Sequence, residues 1–119
     1  MPHLKLEYTE SVGPDNIQPV FKELINILIE NAKVYKENCK CKAIQIPTYE
    51  IENDVLGHFY HLEISLLKGR PEHIRQKIGQ EAIESLKKYF CDNNCKNDTQ
   101  FSVEIREMNP ENYFTSNFL

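Results

Sequence analysis

The sequence predicts a small α+β domain in which tandem β-α-β units form a four-stranded mixed sheet with two helices on one face. Three observations predict it. Residues 2–9 alternate apolar with polar, two longer segments repeat apolar residues at helical spacing, and both helical segments open alike. Those openings are Gly13-Pro14-Asp15 in the first half and Gly69-Arg70-Pro71-Glu72 in the second, so the chain reads as a duplicated unit. With 119 residues there is room for one domain, and about two thirds of the unfolded surface is buried at that size. The halves are expected at about 2–57 and 58–108, with a C-terminal tail after them.

In the first strand Pro2, Leu4, Leu6 and Tyr8 share one face and His3, Lys5 and Glu7 the other. Gly13 and Pro14 break the chain, and Asp15 is expected to cap the first helix with Gln18 three residues on. Ile17, Val20, Phe21, Leu24, Ile25, Leu28 and Ile29 then fall on a single helical face. Lys42 to Ile51 is rich in β-branched residues and predicts a second strand, which Pro47 places at an edge or a bulge. Asn53, Asp54 and Gly57 supply the next turn, and Phe59 to Leu67 the third strand. Pro71 suits a first helical turn and Glu72 complements the helix dipole, after which Ile74, Ile78, Ala82, Leu86 and Tyr89 or Phe90 mark the second helix. A polar run from Asp92 to Thr99 ends it, and Phe101, Val103 and Ile105 alternate as a fourth strand.

A strand, a crossover helix and a parallel strand turn right-handed almost without exception, which sends both helices to the same face of the sheet. The other face is left uncovered. The tail, Asn109 to Leu119, carries Tyr113, Phe114 and Phe118, aromatic residues expected to serve a contact between subunits.

Composition narrows the function. A net charge of −4 argues against nucleic acid, whose phosphates require a basic face. No apolar stretch approaches the length of a membrane span. The opening MPHLKLEYTE has no charged leader and no apolar signal core, so a cytoplasmic location is expected. In that compartment Cys39, Cys41, Cys91 and Cys95 are expected as reduced thiols, and the sequon Asn97-Asp98-Thr99 as a polar loop. A four-thiolate zinc site is the alternative for the cysteines, but Cys39-x-Cys41 entering a strand makes a poor chelate. His3 and His61 lie on strands and are assigned no role, and Tyr49 and Tyr60 are read as packing residues.

Pro2 is the sharpest chemical feature. A small residue after Met1 normally permits removal of the initiator, which would leave a secondary amine at the terminus. Position alone is equally consistent with a proline that merely opens a strand, where its missing N–H costs nothing.

The opening Pro2-His3-Leu4-Lys5-Leu6-Glu7-Tyr8-Thr9 resembles the start of the 5-carboxymethyl-2-hydroxymuconate isomerases, a branch of the tautomerase superfamily. Lys40-Cys41-Lys42-Ala43-Ile44 with Thr48-Tyr49 is similar to that family's Arg-x-Arg strand and Thr-aromatic pair. Phe59-Tyr60-His61-Leu62 resembles its third strand, Gly69-Arg70 the opening of its second helix, and Phe101 to Met108 its last strand. The likeness covers nearly the whole chain and is poor only in the tail.

The resemblance implies the tautomerase fold, a homotrimer, and an isomerase that needs neither cofactor nor metal. It implies Pro2 as a general base that shuttles a proton between carbon and oxygen. An apolar pocket would lower the pKa of such an amine toward neutrality. The implied partner is a small carboxylated enol or dienol from aromatic-ring breakdown, held by Arg70 and Lys40 as substrate-binding residues. The family's two strand arginines are Lys40 and Lys42 in this chain; lysine keeps the charge but not the planar fork. Two alternatives use the same fold. One is another Pro2-dependent reaction of the dehalogenase or decarboxylase type, for which no water-positioning carboxylate stands out among 18 acidic residues. The other is a trimeric binding protein without catalysis.

Overall fold

The computed structural model describes residues 1–10, 12, 14–53, 56–91 and 98–118. Strand β1 is His3–Tyr8, helix α1 Pro14–Ala32, β2 Lys40–Gln45, β3 His58–Leu67, helix α2 Glu72–Phe90 and β4 Thr99–Met108. Short 3-10 turns at Lys36–Asn38 and Pro110–Asn112 precede β2 and follow β4. The sheet runs β2-β1-β3-β4. The β1/β2 and β3/β4 pairs are parallel and β1/β3 antiparallel, which makes a mixed sheet of two parallel pairs back to back. A parallel pair needs a crossover connection, and each helix supplies one.

Alternation decides which face the helices cover. Leu4, Leu6 and Tyr8 of β1 and Tyr60, Leu62, Ile64 and Leu66 of β3 are buried in one cluster with Ile17, Val20, Leu24 and Leu28 of α1 and Ile78, Ala82 and Leu86 of α2. Both helices therefore pack on the same face. The aromatic end of this core is stacked, with Tyr60 lying between Phe90 at 4.6 Å and Phe101 at 5.2 Å between ring centroids. Between the helices Ser85 donates a hydrogen bond to Glu23, and Lys88 reaches the other carboxylate oxygen of Glu23 at 3.0 Å.

The opposite face is polar. His3, Lys5 and Glu7 stand between Lys40, Lys42 and Ile44 on one side and Ser65, Glu63 and His61 on the other. His61 Nδ1 and Ser102 Oγ are 2.6 Å apart, and Arg106 lies 3.8 Å from Glu63 and 3.6 Å from Glu104.

Several boundaries differ from expectation. β2 begins at Lys40 and stops at Gln45, so it is shorter and earlier than the predicted 42–51. It is an edge strand that ends before Pro47, which has no N–H for a ladder. Asp15 sits inside the first turn of α1 instead of capping it, because the helix already starts at Pro14, a residue suited to a first helical position. Pro71 is the N-cap of α2, in extended conformation, rather than part of its first turn. β4 extends from Thr99 to Met108, longer than its three alternating apolar residues indicated. Gly13, Asp54, Cys95, Asn97 and the part of the polar run at 92–97 lie outside the described residues.

Candidate active site

The sheet brings Pro2 and Lys40 together through the backbone. Lys40 opens β2 opposite His3, and its N–H donates to the Pro2 carbonyl at 3.1 Å. Pro2 itself is fully buried beneath a half-exposed Met1. With Met1 in place the Pro2 nitrogen is an amide and the terminal amine belongs to Met1. Loss of Met1 would turn that nitrogen into the terminal amine at the same end of β1.

The electrostatics of this end are set by cations. Burial first, then the charges of Arg70 and Lys40, lower the pKa of the terminal amine below its ordinary 8.0, with Cys39 opposing them. Lys40 thus meets Pro2 through its backbone, and Arg70 and Lys40 both bear on the charge of the neighbouring Met1 amine, although the three residues come from residue 2, the start of β2 and the β3–α2 connection.

The Gly69-Arg70 turn explains how the arginine arrives there. Gly69 has a φ of 137°, a conformation that glycine adopts without the penalty a Cβ would bring, and it turns the chain out of β3 toward α2. Arg70 is half-buried and donates from Nη1 to the Leu67 carbonyl at 3.0 Å and from Nη2 to the Ala32 carbonyl at 3.1 Å. One of those carbonyls ends α1, where Lys33 follows in the left-handed region. Two of the five guanidinium N–H groups are therefore spent on backbone, which orients the fork and leaves three donors for other partners.

Lys40 is exposed, with Nζ 3.4 Å from the Asn38 carbonyl. A shallow cavity of about 230 Å³ on the β1/β2 edge is lined by His3, Leu4, Lys40, Cys41 and Lys42. His3 Nε2 meets the hydroxyl of Tyr113 at 2.8 Å, and their rings pack edge to face with centroids 5.8 Å apart. The imidazole pKa is held below its usual 6.5 by burial first, then by Lys40, the terminal amine and Lys42. His3 had been assigned no role and Tyr113 had been assigned to a subunit contact; the structure folds Tyr113 back onto its own β1. No sequence signal joins two residues 110 positions apart. Phe114 and Phe118 remain exposed.

Tyr60 is buried in the core and Tyr49 packs near His58 and Phe59, away from this end of β1. Cys39 and Cys41 are free thiols, and among the described residues no three His, Cys, Asp or Glu side chains gather to hold a metal. Cys91 is disulfide-bonded, which corrects the expectation that all four cysteines are reduced. Among the described residues no helix is long and apolar enough to cross a membrane.

With this geometry in place, a family model for 5-carboxymethyl-2-hydroxymuconate isomerase matches residues 2–119. The chain belongs to the 5-carboxymethyl-2-hydroxymuconate isomerase family. Membership supports an isomerase of the tautomerase type. A crystal structure of a 5-carboxymethyl-2-hydroxymuconate isomerase from Deinococcus radiodurans R1 superposes with a TM-score of 0.80 at 22% identity, covering 98% of this chain and 90% of that one. A fused 4-OT wild-type symmetric trimer superposes at 0.79 with 10% identity, covering 98% and 94%. A macrophage migration inhibitory factor-like protein from Entamoeba histolytica superposes at 0.68 with 12% identity, covering 97% and 95%. At these identities the structures establish the tautomerase fold for this family member. No curated protein matches the sequence.

Proposed function

We propose that this isomerase-family protein is a cofactor-independent tautomerase acting on a carboxylated enol or dienol of the 5-carboxymethyl-2-hydroxymuconate kind, with Pro2 as its general base. The observation that carries the reading is the concentration of positive charge around the N-terminus of an acidic chain. After burial, Arg70 and Lys40 both lower the pKa of the Met1 amine, next to Pro2, although the net charge is −4. A neighbourhood of that sign depresses an amine pKa and attracts carboxylates at once.

In this mechanism the unprotonated Pro2 amine takes the proton of the substrate's hydroxyl. The oxygen electrons form the carbonyl, the diene electrons shift along the chain, and the remote carbon takes the proton back from the prolinium. No proton or electron is gained or lost overall. Arg70 holds a carboxylate with the donors its backbone contacts leave free, and Lys40 contributes a second, unforked charge. The whole chain, 1–119, serves as one domain of two halves with Met1 removed.

The assembly proposed is a homotrimer in the cytoplasm. The uncovered polar face and the exposed Phe114 and Phe118 support an assembly, and one similar structure is a symmetric trimer. No specific observation favours a dehalogenase or decarboxylase reading. The test is turnover of 2-hydroxymuconate by protein whose N-terminus is verified by mass spectrometry. Ketonisation by the form beginning at Pro2 supports the reading, and none by that form opposes it.

A further inference from the structure

The contact between His3 and Tyr113 is the most specific polar contact at this end of the sheet that the proton-transfer scheme leaves unused. It is prepared by the backbone on both sides. Lys68 N–H donates to the Met108 carbonyl at 2.8 Å, which fixes where β4 ends. Asn109 then caps the Pro110–Asn112 turn by accepting from the Glu111 N–H at 3.2 Å. Together they turn the tail back, and the next residue, Tyr113, lands on His3. His3 in turn lines the cavity shared with Lys40 and Lys42.

Counting protons shows what the pair offers. Burial first, then Lys40, the terminal amine and Lys42, lower the imidazole pKa and favour its neutral form, which carries one N–H, while the phenol carries one O–H. Their mutual bond uses one of these two. If the phenol donates to Nε2, the imidazole N–H is on Nδ1 and is free; if Nε2–H donates, the phenol O–H is free. Nδ1 has no hydrogen-bond partner among the described residues. Either way one uncharged donor is left at the rim of a cavity whose charged groups are the ammoniums of Lys40 and Lys42. An ammonium attracts any anion from any direction, whereas a donor fixed by a partner selects position.

We propose that His3 and Tyr113 form an uncharged anchor for a second carboxylate of the substrate, the one remote from the reacting enol. In this anchor the phenol donates to Nε2, so His3 is the binding residue through Nδ1–H and Tyr113 the positioning residue supplied by the tail. The proposal rests on the tautomerase reading above for the identity of the substrate, but not for the existence of the anchor. Only a second carboxylate would use the anchor, so the pair confers preference for dicarboxylates.

The experiment compares wild type with Tyr113→Phe and His3→Gln in the full chain, using three probes. These are 2-hydroxymuconate with two carboxylates, 2-hydroxypenta-2,4-dienoate with one, and cis,cis-muconate, which has both carboxylates but no enol and is read by calorimetric binding alone. One hydrogen bond to a charged acceptor predicts that Tyr113→Phe raises KM for 2-hydroxymuconate about tenfold, with kcat within about twofold. The same variant should weaken cis,cis-muconate binding by a similar factor and leave the monocarboxylate unchanged. His3→Gln keeps an uncharged donor and should fall between wild type and Tyr113→Phe. Equal losses for the mono- and dicarboxylate, no loss for either, or no binding of cis,cis-muconate by wild type would each overturn the anchor. Weakened muconate binding in a protein that turns over neither enol would sustain the anchor and count against the tautomerase reading alone.

Discussion

Arg70 donates from Nη2 to the carbonyl of Ala32 at 3.1 Å, so the arginine that opens the second half of the chain also closes the helix of the first. The guanidinium opposes the negative end of α1 and meets a carbonyl that the helix leaves unpaired. The side chain proposed to bind substrate thus also terminates a helix.

Arg70→Ala is expected to lower unfolding free energy by about 1–3 kcal/mol, because a half-buried arginine leaves two backbone acceptors behind. Arg70→Lys keeps the charge but cannot reach both carbonyls in the same geometry, and should fall between. Urea denaturation reads both. An unchanged midpoint for Arg70→Ala would show that the two backbone contacts carry no stability.

Lys40→Arg introduces a planar fork at an exposed position whose ammonium, among the described residues, meets the Asn38 carbonyl. It should lower KM for a carboxylated substrate severalfold and change the unfolding free energy by no more than about 0.5 kcal/mol. Steady-state kinetics that show a raised KM would argue against a carboxylate at Lys40.

The element order was legible because both signals are local. Alternation marked β1 and β4, and the spacing of apolar residues marked both helices without any tertiary contact. Ends were less legible. Pro14 and Pro71 each sit one step from the expected position at their helix starts, and β2 was displaced because β-branched residues continue past the proline that ends it. Pro2, Lys40 and Arg70 were found through whole-chain resemblance, since no spacing rule relates them. The Arg70–Ala32 bond spans 38 positions and the His3–Tyr113 bond 110, and both depend on how strands and tail return, which no local pattern encodes.

Leu62 is fully buried in β3, between the β1 and β4 partners of the sheet and under the helices. Leu62→Ala should cost about 2–5 kcal/mol, measured by the same urea titration. A loss below 1 kcal/mol would mean that the core collapses around the missing side chain.

Acid should weaken the helix pair through Glu23. The hydroxyl of Ser85, then Lys88, hold its carboxyl below the usual 4.5, so the unfolded chain binds the proton more readily. This contribution is complete above pH 4.5 and is lost as pH falls through the folded value. Glu23→Gln should therefore flatten the pH dependence of stability below pH 4.5. An unchanged slope there would assign acid sensitivity to other carboxylates.

The state of the N-terminus tests the central claim most directly. Turnover of 2-hydroxymuconate should be measured across pH for three forms verified by mass spectrometry: the chain beginning at Pro2, the chain retaining Met1, and Pro2→Ala without Met1. The first should be active in its basic form. Its rising limb should lie below that of a free prolyl amine, because the surroundings that lower the pKa of the Met1 amine, burial first and then Arg70 and Lys40, lie at this end of β1. Pro2→Ala should keep slight activity through its primary amine. The Met1 form should be inactive with its fold intact, because its Pro2 nitrogen is an amide; equal turnover with and without Met1 would contradict the account.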